Sequence, residues 1–158
     1  MKKILFVLSV VVAMLSISCK NSSNDSGKND KKPKTRVDSL MDDIMAGHDA
    51  SMARMNKLSV FKAKVQHAID SIEALPEKAK KASEAFKVTL DSIQAKMNAA
   101  EESMNKWMDE FNMDSLENNM AEHIKYLESE KLKVSNVRDD IYNSTNKADS
   151  LLKKLIRQ

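Results

Sequence analysis

Methionine, histidine and tryptophan are the residues of this chain whose types and spacing can do chemistry. Its 158 residues hold eleven methionines, three histidines and one tryptophan. Met41-x3-Met45-x2-His48-x3-Met52-x2-Met55 has helical spacing, which sets its members on adjoining rows of one surface. Met104, Trp107 and Met108 follow on a second segment, and His123 on a third. Thioether and imidazole ligands suit Cu(I), and an indole face stabilises a nearby cation. His48, Met52, Met104, Trp107 and His123 are therefore the candidate soft-metal ligands. Plain packing competes with that account, because methionine is an unbranched gap-filler that makes favourable sulfur-aromatic contacts around an indole. A third reading makes the methionines an adaptable apolar groove for a partner helix or a lipid.

Other chemistries find little support. Zinc lacks an H-E-x-x-H segment, and Met45 and Met120 stand three residues before His48 and His123, where a di-iron bundle needs glutamate. Composition leaves a Ser-His-Asp triad open. Yet the two glycines, Gly27 and Gly47, provide neither an elbow for a nucleophile nor a loop that cradles phosphate. The expectation is a protein that is not an enzyme, with His67 as a surface residue.

The first nineteen residues carry an address. Lys2 and Lys3 lead into an apolar run from Ile4 to Ile17 that stops at Ser18-Cys19. A spanning helix needs about 20 apolar residues, whereas a secretory signal needs roughly 7 to 15 after a basic start. Leu15-Ser16-Ile17-Ser18-Cys19 resembles the lipobox at which a signal peptidase cuts ahead of a cysteine that is then diacylated. Cys19 is the single cysteine, so it has no internal disulfide partner, and lipidation gives it a purpose. The segments expected are a lipoprotein signal peptide (1–18), a lipidated disordered tether (19–36) and a folded domain (37–158).

Removing Lys2 and Lys3 from the 26 basic residues leaves 24 against 23 acidic ones, which excludes a nucleic-acid binder by charge. The residual excess lies in the tether, where Lys20, Lys28, Lys31, Lys32, Lys34 and Arg36 face only Asp25 and Asp30. Such a segment is either simply soluble, or it adds adhesion to anionic headgroups worth up to ~1 kcal/mol per charge. A flexible chain of this length spans roughly 20 to 25 Å.

The elements that must position the methionines are helices. Two prolines, two glycines and 4% aromatic against 31% charged residues leave long helices as the economical solution. Met41, Ile44, His48, Ser51, Met55, Leu58, Lys62, Val65, Ile69 and Ile72 recur at steps of three and four. The first helix is expected over about 36–75, ended by Pro76. Phe86, Leu90, Ile93, Met97, Ala100, Met104, Trp107 and Phe111 form a heptad stripe on a second helix, about 77–111. Asp114 with Glu117 reads as a capping box opening a third, about 115–157, seamed by Met120, His123, Leu127, Glu130, Val134, Val137, Ile141, Ser144, Ala148, Leu151 and Leu155. Its polar members Glu130 and Ser144 point to a looser, partly exposed stretch. Short connections favour an all-α, antiparallel three-helix bundle, up-down-up, over a parallel coiled-coil oligomer. Folding back at residues 76 and 114 gathers all nine methionines of the mature chain at one end, with His48, Met104, Trp107 and His123 in one layer.

The chain also resembles a group of small Bacteroidetes-type lipoproteins labelled "viral A-type inclusion protein". The likeness rests on Ser18-Cys19-Lys20, on His48-Asp49-Ala50-Ser51-Met52, and on Met104-Asn105-Lys106-Trp107-Met108 ahead of Phe111. That family usually has a second methionine where Ser103 stands here. The resemblance implies a fold and an address, with no established activity. The function expected is a non-enzymatic envelope lipoprotein, held to the membrane through lipidated Cys19, that binds an envelope protein partner or acts structurally. A periplasmic Cu(I)-handling protein and a holdase or adaptor are the rivals. Lys20 after Cys19 favours the outer membrane over the inner by analogy with enteric sorting, with the domain facing the periplasm or the surface.

Overall fold

Thr35 opens the first helix by a reciprocal pair of hydrogen bonds. Its hydroxyl accepts from the Asp38 N–H at 3.1 Å, and the Asp38 carboxylate accepts from the Thr35 N–H at 2.9 Å. Two of the donors that a helix start leaves unpaired are thereby satisfied. The computed structural model describes residues 33–155, so the signal segment, Cys19 and the tether up to Lys32 lie outside the described residues, as do residues 156–158. Within them the chain forms α1 (Arg36–Glu73), α2 (Glu77–Glu110) and α3 (Met120–Leu155), with no strand. No described helix is long and apolar enough to cross a membrane.

The first reversal is tight. Ala74 and Leu75 donate back to Asp70 and Ile72, and Pro76, with extended backbone, accepts from both Ala79 and Lys80 at 2.9 Å to start α2. The second connection is longer than the sequence predicts. Leu116 takes a left-handed conformation (φ 64°), which breaks any helix begun at Asp114. Asn119 caps α3 instead, its side-chain oxygen accepting from the Glu122 N–H at 3.4 Å. The expected opening at Asp114 and Glu117 is thus moved to Met120. Asn119 and Glu122 repeat the same pattern five residues later, past the break.

The helices run up, down and up, each packed on the other two. α1 and α3 are parallel: Arg36 bonds Glu128, Asp43 bonds Lys131 and Arg54 bonds Thr145, at separations of 92, 88 and 91 residues. α2 opposes both, pairing Lys62 with Glu101 and Glu73 with Lys87 across α1, and Trp107 with Glu130 across α3. At 1.5 Å per residue, the 34 residues of α2 span about 51 Å.

The core follows from α1 facing two partners at once. Its central row, Ile44, Ser51, Leu58, Val65 and Ile72, is buried. Leu40, Gly47 and Phe61 flank that row and are buried too, whereas Met41, His48, Met55 and Lys62 on the other flank are only partly covered. A fully buried Leu or Ile contributes roughly 1.5–3 kcal/mol relative to an exposed one. Of the predicted α2 stripe, Leu90, Ile93, Met97, Ala100, Met104 and Trp107 are buried, while Phe86 and Phe111 at its ends are partly covered. Gly47 eases the close approach of α1 to α3, because a Cβ there would meet Val134 Cγ1 at 3.1 Å and the valine would have to shift by a few tenths of an ångström.

Glu130 and Ser144 depart from expectation. Each is 3% exposed. Glu130 Oε2 accepts from the Trp107 indole N–H at 3.0 Å, and its Oε1 accepts from Lys133 Nζ at 2.7 Å. Ser144 donates to the Asp140 carbonyl at 2.7 Å. Buried polar groups are tolerated when they are paired in this way.

Candidate functional site

Six side chains from three segments line a shallow groove of about 200 Å³: Met45 and His48 from α1, Trp107 and Met108 from α2, and Phe111 and Met113 after it. Met45 and His48 lie three residues apart on α1 and so share a face. Trp107 and Phe111, four apart on the heptad stripe, stack at 4.9 Å between ring centroids and 17° between planes. His48 is tilted 37° against Trp107 at 5.9 Å, and Tyr126 of α3 extends the series behind Phe111 at 6.4 Å. The Tyr126 hydroxyl accepts from the Asn112 N–H at 2.8 Å, which fixes where the chain leaves α2.

Two hydrogen bonds orient the groove's polar groups. The indole N–H is held by Glu130, so Trp107 keeps one orientation while only 5% exposed. His48 Nδ1 lies 3.0 Å from Asp49 Oδ1, the geometry of an N–H donating to a carboxylate. With the proton at Nδ1, the neutral ring carries its lone pair at Nε2. Metal-binding histidines are held by just such a carboxylate partner. On α3, Lys133 is raised above its ordinary value, first by its hydrogen bond to Glu130.

The described methionines differ in burial, with Met41 and Met55 partly covered against the core. Met97 and Met104 are 0% exposed and serve as core. Met45 and Met108 are each 37% exposed and Met113 is 51% exposed, which gap-filling does not explain.

Of the five predicted soft-metal ligands, the structure brings His48 and Trp107 together and disperses the rest. Met104 is enclosed in the core, and Met52, 40% exposed, lies outside the groove's lining. His123 is buried at 4%, with Nδ1 2.5 Å from the Ser115 carbonyl. It borders a different recess with Thr35, Arg36, Val37, Glu117, Met120 and Ile124. Since that recess abuts the start of α1, His123 stands roughly 20 Å along the bundle from His48 at 1.5 Å per residue. The error comes from the longer second connection. Folding back at residue 114 sets Trp107 level with residue 121, whereas the observed partner is Glu130. Met45, Met108 and Met113 take the vacated places. Their signal in the sequence is adjacency: Met45 is one turn from His48, and Met108 follows Trp107 directly.

Among the described residues, no three His, Cys, Asp or Glu side chains group as a metal site built from those residues would require. A larger groove of about 660 Å³ lies at the other end between α1 and α3, lined by Phe61, Ile72, Leu75, Leu152 and Leu155 with Lys64, His67 and Lys153 at its margin. His67 there is exposed, as expected. Comparison with protein-family models, curated proteins and solved structures finds no match for the chain.

Proposed function

We propose that this chain is a non-enzymatic lipoprotein of the bacterial envelope, acylated at Cys19, whose helical bundle is a binding module. The observation that carries the binding role is the exposure of Met45, Met108 and Met113 around His48 and the immobilised Trp107. Thioether side chains left open to solvent beside a fixed aromatic stack form an adaptable surface for a soft or apolar ligand. The address is supported by Lys2, Lys3, the apolar run and the small residue before the only cysteine. Lys20 to Arg36 joins that cysteine to α1, and the groove lies in the half of α1 that this segment enters.

Labelled palmitate supplied to cells expressing the full chain tests the address. The expected outcome is label on the wild type and none on Cys19→Ala, with the variant lost from the membrane fraction. Equal membrane association of an unlabelled Cys19→Ala protein would refute the anchor.

A further inference from the structure

We infer that the groove formed by Met45, His48, Trp107, Met108 and Met113 is a binding site for a monovalent soft cation, Cu(I) or its analogue Ag(I). The inference rests on reading the groove as a binding surface, and it names the ligand class. The side chains of three methionines and one histidine line the same 200 Å³ space. All four are neutral donors, a set that suits a polarisable, singly charged ion and offers a hard divalent ion no carboxylate or carbonyl cage. His48 is prepared for ligation: Asp49 holds Nδ1 at 3.0 Å, which presents Nε2 as the ligating atom and puts a negative charge behind the ring. The indole beside His48 adds cation–π attraction and shields the ion from water. Glu130 locks the indole in place, so that shield is present before the ion arrives. Core methionines take no part, and neither do Met52 and His123.

Trp107 is the single tryptophan, which makes its fluorescence a direct reporter. The experiment titrates the full-length protein in detergent with Cu(I), kept reduced and buffered by a chromogenic Cu(I) chelator, and repeats the titration with Ag(I). One equivalent is expected to quench Trp107 saturably at micromolar or lower free metal. His48→Gln abolishes the saturable phase, and Met45→Leu with Met108→Leu, which conserves volume, weakens binding at least tenfold. Asp49→Asn weakens it about tenfold through the orientation of the ring. Met52→Leu and His123→Gln leave the curve unchanged. X-ray absorption of the loaded wild type shows sulfur and imidazole scattering, a readout independent of any variant's folding.

Absence of quenching at micromolar metal overturns the proposal. So does an oxygen-only metal shell, or an unchanged curve for the Met45→Leu/Met108→Leu protein with wild-type helical circular dichroism. Palmitate labelling at Cys19 is blind to metal, so failure of the copper site and failure of the lipoprotein reading are told apart.

Discussion

Replacing Glu130 by leucine tests whether a buried carboxylate holds the bundle's aromatic layer or merely survives in it. Glu130 is 3% exposed and accepts from the Trp107 N–H at 3.0 Å and from Lys133 Nζ at 2.7 Å. Leucine removes both bonds and strands the indole N–H in a site closed to water. A hydrogen bond to a charged group contributes about 1.5–3 kcal/mol, and an orphaned buried donor costs about 1–3 kcal/mol. These figures overlap, because both describe loss of one interaction. The gain from burying an apolar side chain offsets part of the loss. A net destabilisation of about 2 kcal/mol results, or roughly 5–10 °C in the thermal midpoint of a domain this size. The Lys133 bond adds little, since that ammonium is 57% exposed and screened. Urea denaturation followed by circular dichroism supplies the assay. A double-mutant cycle with Trp107→Phe isolates the pair and should give a coupling of about 1–2 kcal/mol. A Glu130→Leu protein as stable as the wild type, or more so, would refute the reasoning. It would place Glu130 among buried charges whose desolvation cancels their attraction.

Met104→Ala should cost about 2–5 kcal/mol by opening a cavity in the core, while Met108→Ala, at a 37% exposed position, should cost well under half as much; equal losses in urea denaturation would erase the distinction between core and groove methionines. Asn119→Ala should cost roughly 0.5–1 kcal/mol through its cap, and Asp114→Ala less; the reverse order would restore the earlier helix start. Gly47→Leu should separate α1 from α3 beside Val134, at a cost of about 2 kcal/mol or more from overpacking, and a neutral effect on the melting point would show that the approach there is not close. Asp43 is held below its ordinary 3.8, first by its hydrogen bond to Lys131 and then by that residue's charge. A depressed acid contributes stability above its unfolded value that is lost as pH falls through its folded value. Thermal midpoints measured between pH 5 and pH 2 should therefore fall less steeply for Asp43→Asn than for the wild type, and parallel curves would count against the pair.

What could be read from the sequence depended on whether one helix or two decided a residue's surroundings. The α2 stripe from Leu90 to Trp107 was legible because a heptad repeat alone sets the buried face of a helix lying against two neighbours on one side. On α1 the row from Ile44 to Ile72 was legible for the same reason. Gly47 and His48 show where that reasoning stops: they are consecutive, yet the first packs on Val134 of α3 and the second on Trp107 of α2. Which flank is buried depends on how closely each partner approaches, and that is a tertiary quantity. Glu130 reads as part of a looser, partly exposed stretch because a carboxylate at a seam position has no evident partner in one dimension. The partner is an indole N–H 23 residues away. His123 lies outside the expected layer because the second connection is longer than the sequence predicts, with Leu116 left-handed within it. Nothing in a leucine announces a left-handed conformation.

An odd number of helices gives this bundle a polarity that an even number would cancel. With α1 and α3 parallel, the chain comes in at one pole and its last described turn, near Leu155, lies at the other, about a bundle length away. The two grooves share that division: the methionine and aromatic one belongs to the pole of arrival, and the one between Ile72 and Leu152 to the pole of departure. The last described turn, near Leu155, therefore lies at the pole away from the His48 groove. The two ends of the described bundle are thus chemically distinguishable, and chain direction sets which groove belongs to which end.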